Sequence, residues 1–208
     1  MTLSPPSKAI LDRILNNAKV QLPGAIKDGI AYELYNVLDE LLSESDIWWE
    51  DIPFDCEQGV LDYSIVPVTG RIVHLIFLRY ADTSIETAQI PSSMPEPGWL
   101  QWGRAPSEPK ACVVRVSLTV LDPVTKAGFP QCPTWILERY HALITDGLVY
   151  KMASQQGKPW TNDEIAVLHG QKFRNGIGAL AKVDYLHQHV RGAQRWRFPQ
   201  QFMPMLRR

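Results

Sequence analysis

The sequence predicts an α+β fold: a bundle of about four helices with an antiparallel β block inserted between them, followed by an extended basic arm. Three observations predict it. Apolar residues recur at helical spacing before residue 48 and again after residue 130. Between these segments, β-branched and aromatic residues form the alternating or short apolar runs that are typical of strands. Residues 191–208 contain five arginines, two prolines and no acid, which favours an extended segment.

The predicted elements divide the 208 residues into three parts. Residues 1–48 and 130–190 are expected to form one helical domain, residues 49–129 an inserted β domain, and residues 191–208 the arm. No apolar run approaches the roughly 20 residues that a membrane-spanning helix needs, so no membrane partner is expected.

The two N-terminal helices are each predicted from one apolar stripe, and they are expected to pair with each other. The second helix is expected to run from about Asp28 to Ser45. The stripes consist of Leu11, Leu15, Ala18 and Leu22 in the first helix and Ile30, Leu34, Val37 and Leu41 in the second.

The β block is predicted to contain strands at residues 49–56, 60–67, 71–80 and 111–123. The turn at 67–71 predicts a hairpin between the second and third of these strands. Strand 71–80 is apolar on both faces, so it is expected to be buried on both sides, with His74 as a hydrogen-bonded core residue. The proline-rich stretch 83–110 is expected to be a long loop with one short strand at Trp99–Trp102.

The first C-terminal helix carries two neighbouring apolar stripes and is therefore expected to be largely enclosed. Gly147 lies in the middle of one stripe, where it costs roughly 1 kcal/mol relative to alanine. We expect this cost to be offset by the close approach of another helix. The last helix is expected to reach about Val190 and to present an apolar arc made of Ile165, Phe173, Ile177 and Leu180.

The turn between these two helices is predicted from the stretch QQGKPWTNDE, residues 155–164. Thr161 and Glu164 fit a capping box, in which each side chain bonds the backbone N–H of the other residue. Trp160 would then precede the N-cap and pack onto Ile165 as a hydrophobic staple. Gly157 is expected to end the preceding helix and Pro159 to stiffen the link.

The sequence contains no pattern that predicts an active site. Common protease, hydrolase, dinucleotide and zinc-binding motifs are absent, so no catalytic, cofactor-binding or metal-binding residue is assigned and no enzyme is expected. His187 and His189 are two positions apart on a helix, roughly 200° around its axis, and could not share a metal from one face. Cys56, Cys112 and Cys132 are widely spaced and are expected to be free thiols.

The charge of the chain is unevenly distributed. Residues 1–110 carry sixteen acids and eight bases, a net of −8, whereas residues 111–208 carry six acids and thirteen bases, a net of +7. Such a dipole is compatible with solvated surfaces, with head-to-tail contacts between copies, or with steering of a charged partner.

Residues 129–173 resemble the C-terminal half of the head-to-tail adaptor, or neck, proteins of tailed bacteriophages. The resemblance lies in a proline-containing turn, a Pro-x-Trp start, an Ile-x-x-Gly helix, a Gly-x-Pro-Trp turn and a late phenylalanine. These positions are Pro133, Trp135, Ile136, Tyr140, Ile144, Gly147, Gly157, Pro159, Trp160 and Phe173. The N-terminal helices, WWEDI at 48–52 and GVLDYSIVP at 59–67 also resemble the family, whereas residues 83–110 do not.

The resemblance implies a structural virion protein without cofactor or catalysis, made in the host cytoplasm and located in the virion neck. It implies a homo-oligomeric ring, typically of twelve copies, between the portal protein and a tail or nozzle protein. Genomic DNA would pass through such a ring without sequence-specific binding. Because basic side chains would retain a sliding duplex, we expect acidic side chains to line the channel. The candidates are Glu33, Asp39, Glu40 and Glu44 on the second helix.

The basic arm is the expected contact with a partner, and the resemblance favours the portal over the next subunit. Its arginines suit a negative surface, and its apolar side chains would fill pockets. The candidate contact residues are Arg195, Trp196, Arg197, Phe198, Phe202, Met203, Met205, Leu206, Arg207 and Arg208. Two alternatives remain open: a terminus without a role, and a nucleic-acid-binding protein that uses this basic-aromatic segment.

Overall fold

The computed structural model of the chain describes residues 5–83, 89–121 and 131–189, and it has the predicted α+β class. The described part contains four helices and two small antiparallel sheets. In chain order the elements are α1 (Pro5–Gln21), α2 (Lys27–Ser45), β1 (Trp49–Cys56), β2 (Asp62–Ser64), β3 (Arg71–Tyr80), β4 (Ser92–Glu96), β5 (Trp99–Trp102), β6 (Lys110–Thr119), α3 (Thr134–Ala153) and α4 (Asp163–His189).

The strands form two three-stranded sheets rather than one block, with the orders β1-β6-β3 and β2-β5-β4. The predicted hairpin between residues 60–67 and 71–80 is therefore wrong. β2 is only three residues long and pairs with β5, and β3 pairs with β6. Pro67 has no N–H with which to extend a ladder, and the N–H of Val68 donates to the carboxylate of Glu50 instead, at 3.1 Å.

The proline-rich stretch is not a long loop in its described part. β4 and β5 form an antiparallel pair there, and Gly98 makes the turn between them with a φ of 83°. A positive φ of this size favours glycine, because it has no Cβ. The short strand predicted at Trp99–Trp102 is confirmed as β5.

β3 is an edge strand of its sheet and is not buried on both sides, so the prediction of a core His74 is wrong. The His74 side chain is 54% exposed, and its Nε2 lies 3.1 Å from the carbonyl oxygen of Ser43. The pairing of β3 with β6 shifts register twice between Ile72 and Phe77, which breaks the alternation of faces that the sequence suggested.

Aromatic rings connect the two sheets. Phe54 of the first sheet lies 5.2 Å from Tyr63 of the second, between ring centroids, and Tyr80 lies 6.2 Å from Trp102. One face of β6 is buried as predicted, through Val114, Val116 and Leu118, and Val120, just after the strand, is buried too. The sheets and helices share one hydrophobic core.

The helices bury the stripes that the sequence predicts. Every residue of the two N-terminal stripes is at most 1% exposed. α1 contacts α2, but it packs more extensively against α3, which is also covered by α2 and α4. α3 is thus enclosed as expected, although its helical geometry is interrupted at Tyr140, with φ −110° and ψ 17°.

Gly147 confirms the expected close approach of helices. A Cβ at this position would lie 2.7 Å from Cγ1 of Val37 in α2 and 2.8 Å from Cε2 of Phe173 in α4. Such distances are well inside normal carbon contacts, so only glycine allows both neighbours to sit where they do.

Candidate assembly surfaces

The α2 carboxylates chosen as channel candidates mostly make contacts within the chain. Glu33 accepts a hydrogen bond from the side-chain amide of Gln155 at 3.0 Å, and Glu40 pairs with the ammonium of Lys151 at 2.5 Å. Both contacts connect α2 to α3 or to the turn that follows it.

Asp39 connects α2 to the first sheet. Its carboxylate accepts hydrogen bonds from the hydroxyl of Thr119 at 2.8 Å and from the guanidinium of Arg71 at 3.0 Å. Of the four candidates, Glu44 alone is exposed. The acidic lining stays a prediction, and Glu44 is its most accessible member.

The turn between α3 and α4 is built mainly on polar contacts of Gln155. Its side-chain oxygen accepts from the indole Nε1 of Trp160 at 3.3 Å, and its carbonyl accepts from the hydroxyl of Thr161. Trp160 is half-buried and packs against the core. Gly157 has a φ of 70°, but it does not end α3, which stops at Ala153 with Ser154 as its C-cap.

The predicted capping box at the start of α4 is wrong by one residue. α4 begins at Asp163, and the side-chain oxygen of Asn162 accepts a hydrogen bond from the N–H of Ile165 at 3.1 Å. Asn162 is therefore the N-cap. Thr161 instead accepts from the N–H of Lys158 at 3.1 Å, which holds the turn together. Trp160 lies two residues before the cap, so the predicted staple register is also wrong.

The inner face of α4 matches the prediction. Phe173 is fully buried and Ile177 is 3% exposed, while Ile165 and Leu180 pack partly buried against the core. His169 is also on this face, where its Nδ1 lies 2.7 Å from a carboxylate oxygen of Asp146 in α3. This contact and the hydrogen bond from Arg174 to the Tyr150 hydroxyl, 2.8 Å long, join the two helices.

The outer face of α4 carries an exposed apolar pair that nothing else in the described chain covers. Val167 is 61% exposed and Leu168 is 51% exposed. With Asp163, Glu164 and Gln171 they line an open depression of about 400 Å³. We call the arc that contains residues 163, 164, 167, 168, 171, 174, 175 and 178 the outer face of α4. All of these residues are exposed.

Gly178 belongs to this outer face and differs from the other glycines near it. A Cβ on Gly170 would lie 2.9 Å from the ring of Tyr150, and one on Gly176 would overlap Leu143. Around Gly178, by contrast, the described chain places no atom within 4 Å of a Cβ. The packing of the described residues therefore gives no reason for glycine here.

Two of the three cysteines, Cys112 and Cys132, do not provide reactive thiols. All three are free, as expected from the sequence. Burial, reinforced by the neighbouring Cys56, raises the pKa of Cys112 to about 12, and burial also raises that of Cys132 to about 12. Both thiols therefore stay protonated, and poorly nucleophilic, at neutral pH.

Within residues 5–83, 89–121 and 131–189, no group of histidine, cysteine, aspartate or glutamate residues could hold a metal ion. In the same ranges, no helix combines the length and the apolar character that crossing a bilayer requires. The arm candidates, from Arg195 to Arg208, lie outside the described residues, as does Val190.

No protein-family model matches the chain, and no curated protein sequence matches it either.

Sequence reasoning overlooked the outer face of α4. Its signal was visible, because Val167 and Leu168 are apolar but lie off the arc that contains Phe173 and Ile177. Two adjacent large apolar residues on this side depart from the polar outer face that is typical of an amphipathic surface helix.

Proposed function

We propose that this chain is a subunit of the head-to-tail adaptor ring of a tailed bacteriophage. In this role it joins the portal to a tail or nozzle protein, and the genome passes through the ring. About twelve copies would form the ring, as the resemblance implies. The chain performs no reaction there. Its task is to present surfaces to identical copies and to two different partners.

The observation that carries the proposal is that two positions of the motif, distant in sequence, pack against each other. Gly147 and Phe173 come from the Ile-x-x-Gly helix and from the late phenylalanine of the resemblance. A Cβ on the glycine would lie 2.8 Å from the phenylalanine ring. The Gly-x-Pro-Trp turn is also structural, since Trp160 packs on the core. The motif therefore corresponds to a packed unit of the fold, which supports the resemblance on which the function rests.

A second support comes from the use of polar groups in the described residues. Three carboxylates of α2, the His169–Asp146 pair and the Arg115–Asp51 pair, with its two contacts of 2.6 Å, all join elements of the fold. The three are Glu33, Asp39 and Glu40. None of these groups lies in the depression on α4. This pattern favours an assembly component over an enzyme.

The test of the function is localisation in particles. Gold-labelled antibody against this chain should bind tailed particles at the junction of head and tail, in electron micrographs of the phage that encodes it. Isolated chain mixed with the portal protein of the same phage should give rings seated on the portal. Labelling at the capsid shell or the tail tip, or particles without label, would contradict the proposal. Strongly salt-dependent binding to DNA, without rings, would instead favour the nucleic-acid-binding alternative.

The proposed role of the arm has its own test, which is deletion of residues 192–208. The remaining chain should keep the circular dichroism spectrum of the full chain, because the described core ends before this segment. DNA-filled heads should then fail to retain the adaptor or to join tails. Infectious particles assembled from the shortened protein would show that the arm is dispensable.

A further inference from the structure

We propose that two copies of this chain associate through the outer face of α4, with the two helices antiparallel and related by a two-fold axis near residue 169. This contact goes beyond the proposed ring. A ring of equivalent subunits uses head-to-tail contacts, whereas a two-fold contact is complete with two copies. The dimer is accordingly a state of the chain outside the neck.

The order of charges along the outer face is self-complementary. Glu164 is near the start of α4 and Arg174 lies ten positions later, and both are exposed. In an antiparallel pair centred at residue 169, Glu164 of each copy lies opposite Arg174 of the other. The two-fold axis makes this contact twice, so one pair of residues yields two ion pairs. A parallel arrangement would place like charges side by side.

The apolar part of the face lies at the centre of the same arrangement. Val167 and Leu168 are within two residues of the axis, about 3 Å along the helix. Each copy therefore covers the apolar pair of the other, and the depression of about 400 Å³ is shared between them. An apolar centre with charged residues at its margin is the usual anatomy of a protein–protein contact.

Gly178 supplies an independent observation. It lies nine residues from the axis, so the partner's residue 160 is opposite it. That residue belongs to the turn that precedes the partner's α4, where Gly157, Lys158 and Pro159 are exposed. A turn projects further than a helix side, and the open space at Gly178 leaves room for it. A second copy thus explains a glycine that no contact among the described residues of one copy explains.

The contact is small, since it involves one helix from each copy. Interfaces of this size are weak and transient, so we expect a dimer that dissociates on dilution in the micromolar range. Such a contact protects the apolar pair while remaining easy to displace.

The experiment is a charge exchange in the full chain, followed by sedimentation equilibrium at several concentrations. Glu164→Lys and Arg174→Glu should each raise the dissociation constant of the dimer at least tenfold. An equimolar mixture of the two variants should form a heterodimer about as tight as that of the wild type. In that heterodimer every facing pair again has opposite charges, whereas each variant alone places like charges together.

Two control variants match these changes. Glu138→Lys makes the same charge change at an exposed position on α3 and should leave dimerisation unchanged. Tyr150→Phe removes the hydrogen bond from Arg174 without altering charge and should also preserve the dimer. Circular dichroism should confirm that all variants are folded.

A wild-type chain that stays monomeric throughout this range would overturn the proposal. Failure of the mixed variants to associate would do the same, as would equal weakening by Glu138→Lys. None of these outcomes bears on rings formed with the portal, because the labelled particles test those separately.

Discussion

The two faces of α4 differ in how completely a single chain explains them. On the inner face, Phe173 and Ile177 are buried, and Gly170 and Gly176 each leave space for a named side chain of α3. On the outer face, Leu168 is exposed, and a Cβ on Gly178 would meet no atom of the described residues within 4 Å. The comparison separates residues that stabilise the fold of a single chain from residues that we expect to contact another molecule.

The comparison is tested most strongly by Phe173→Ala. The ring is fully buried between helices, so its loss should cost about 3–5 kcal/mol in the free energy of unfolding. Chemical denaturation at low protein concentration measures this value. The matched change on the outer face is Leu168→Ala, which should alter stability by less than about 0.5 kcal/mol. Equal losses from the two variants would remove the distinction between the faces.

Trp160→Ala tests the turn that precedes α4, which belongs to neither face of the helix. The indole packs on the core and donates to Gln155 at 3.3 Å, but it is only half-buried. We expect a loss of about 2 kcal/mol, roughly half the cost of a fully buried aromatic. Thermal denaturation of the monomer provides the measurement. An unchanged melting temperature together with defective assembly would identify Trp160 as a partner contact instead.

Gly147→Ala tests how closely α3 packs against α2 and against the inner face of α4. A methyl group would meet Val37 and Phe173, both of which are fully buried and unable to move aside. Overpacking costs about 1–3 kcal/mol, and the better helix propensity of alanine returns about 1 kcal/mol. The net loss should therefore be about 0–2 kcal/mol in urea titrations. A stabilised variant would show that the helices are less closely packed than described.

Asn162→Ala tests which residue caps α4. The change removes the hydrogen bond to the N–H of Ile165 and should cost about 1 kcal/mol. Hydrogen exchange of the amides in the first turn of α4 should accelerate as well. Under the capping box predicted from the sequence, Thr161→Ala would expose those amides and Asn162→Ala would not.

Gly178→Ala should have the smallest effect and the opposite sign. The site is open, so alanine should stabilise the monomer by about 0.5–1 kcal/mol through helix propensity alone. The melting temperature at low concentration should rise slightly. A destabilised monomer would mean that Gly178 is already packed within its own chain and belongs with the inner glycines.

The sequence predicted the features that depend on local spacing. The stripes of α1 and α2, and the close approach at Gly147, follow from helical periodicity and from the cost of an interior glycine. Strand pairing depends instead on contacts between distant residues, and so the hairpin across Pro67 was expected while the pairing of β3 with β6 was not. The hairpin of β4 and β5, with its turn at Gly98, was not predicted, because the prolines of this stretch indicated a loop.

The candidate sites divide in the same way. Thr161 and Asn162 are both good capping residues, and only the backbone path selects Asn162. The carboxylates of α2 were recognised as a group, but no pattern in the sequence showed that Asp39 would meet Thr119, eighty residues away. The outer face of α4 was overlooked because the inner arc already accounted for the helix.

Trp48, just before the first strand, and Leu118, near the end of the last strand, lie side by side. The N–H of Leu118 donates to the carbonyl of Trp48 at 2.7 Å, which closes the β part of the chain into a loop. This closure has a consequence for the order of folding. α1 must find α3, yet all six β strands lie between them in the chain. Pairing of β1 with β6 shortens that separation to residues 22–48 before the ladder and 120–133 after it, which lowers the entropic cost of bringing the helices together. The rate at which α1 meets α3 is therefore expected to depend on a pair of strands that belongs to neither helix.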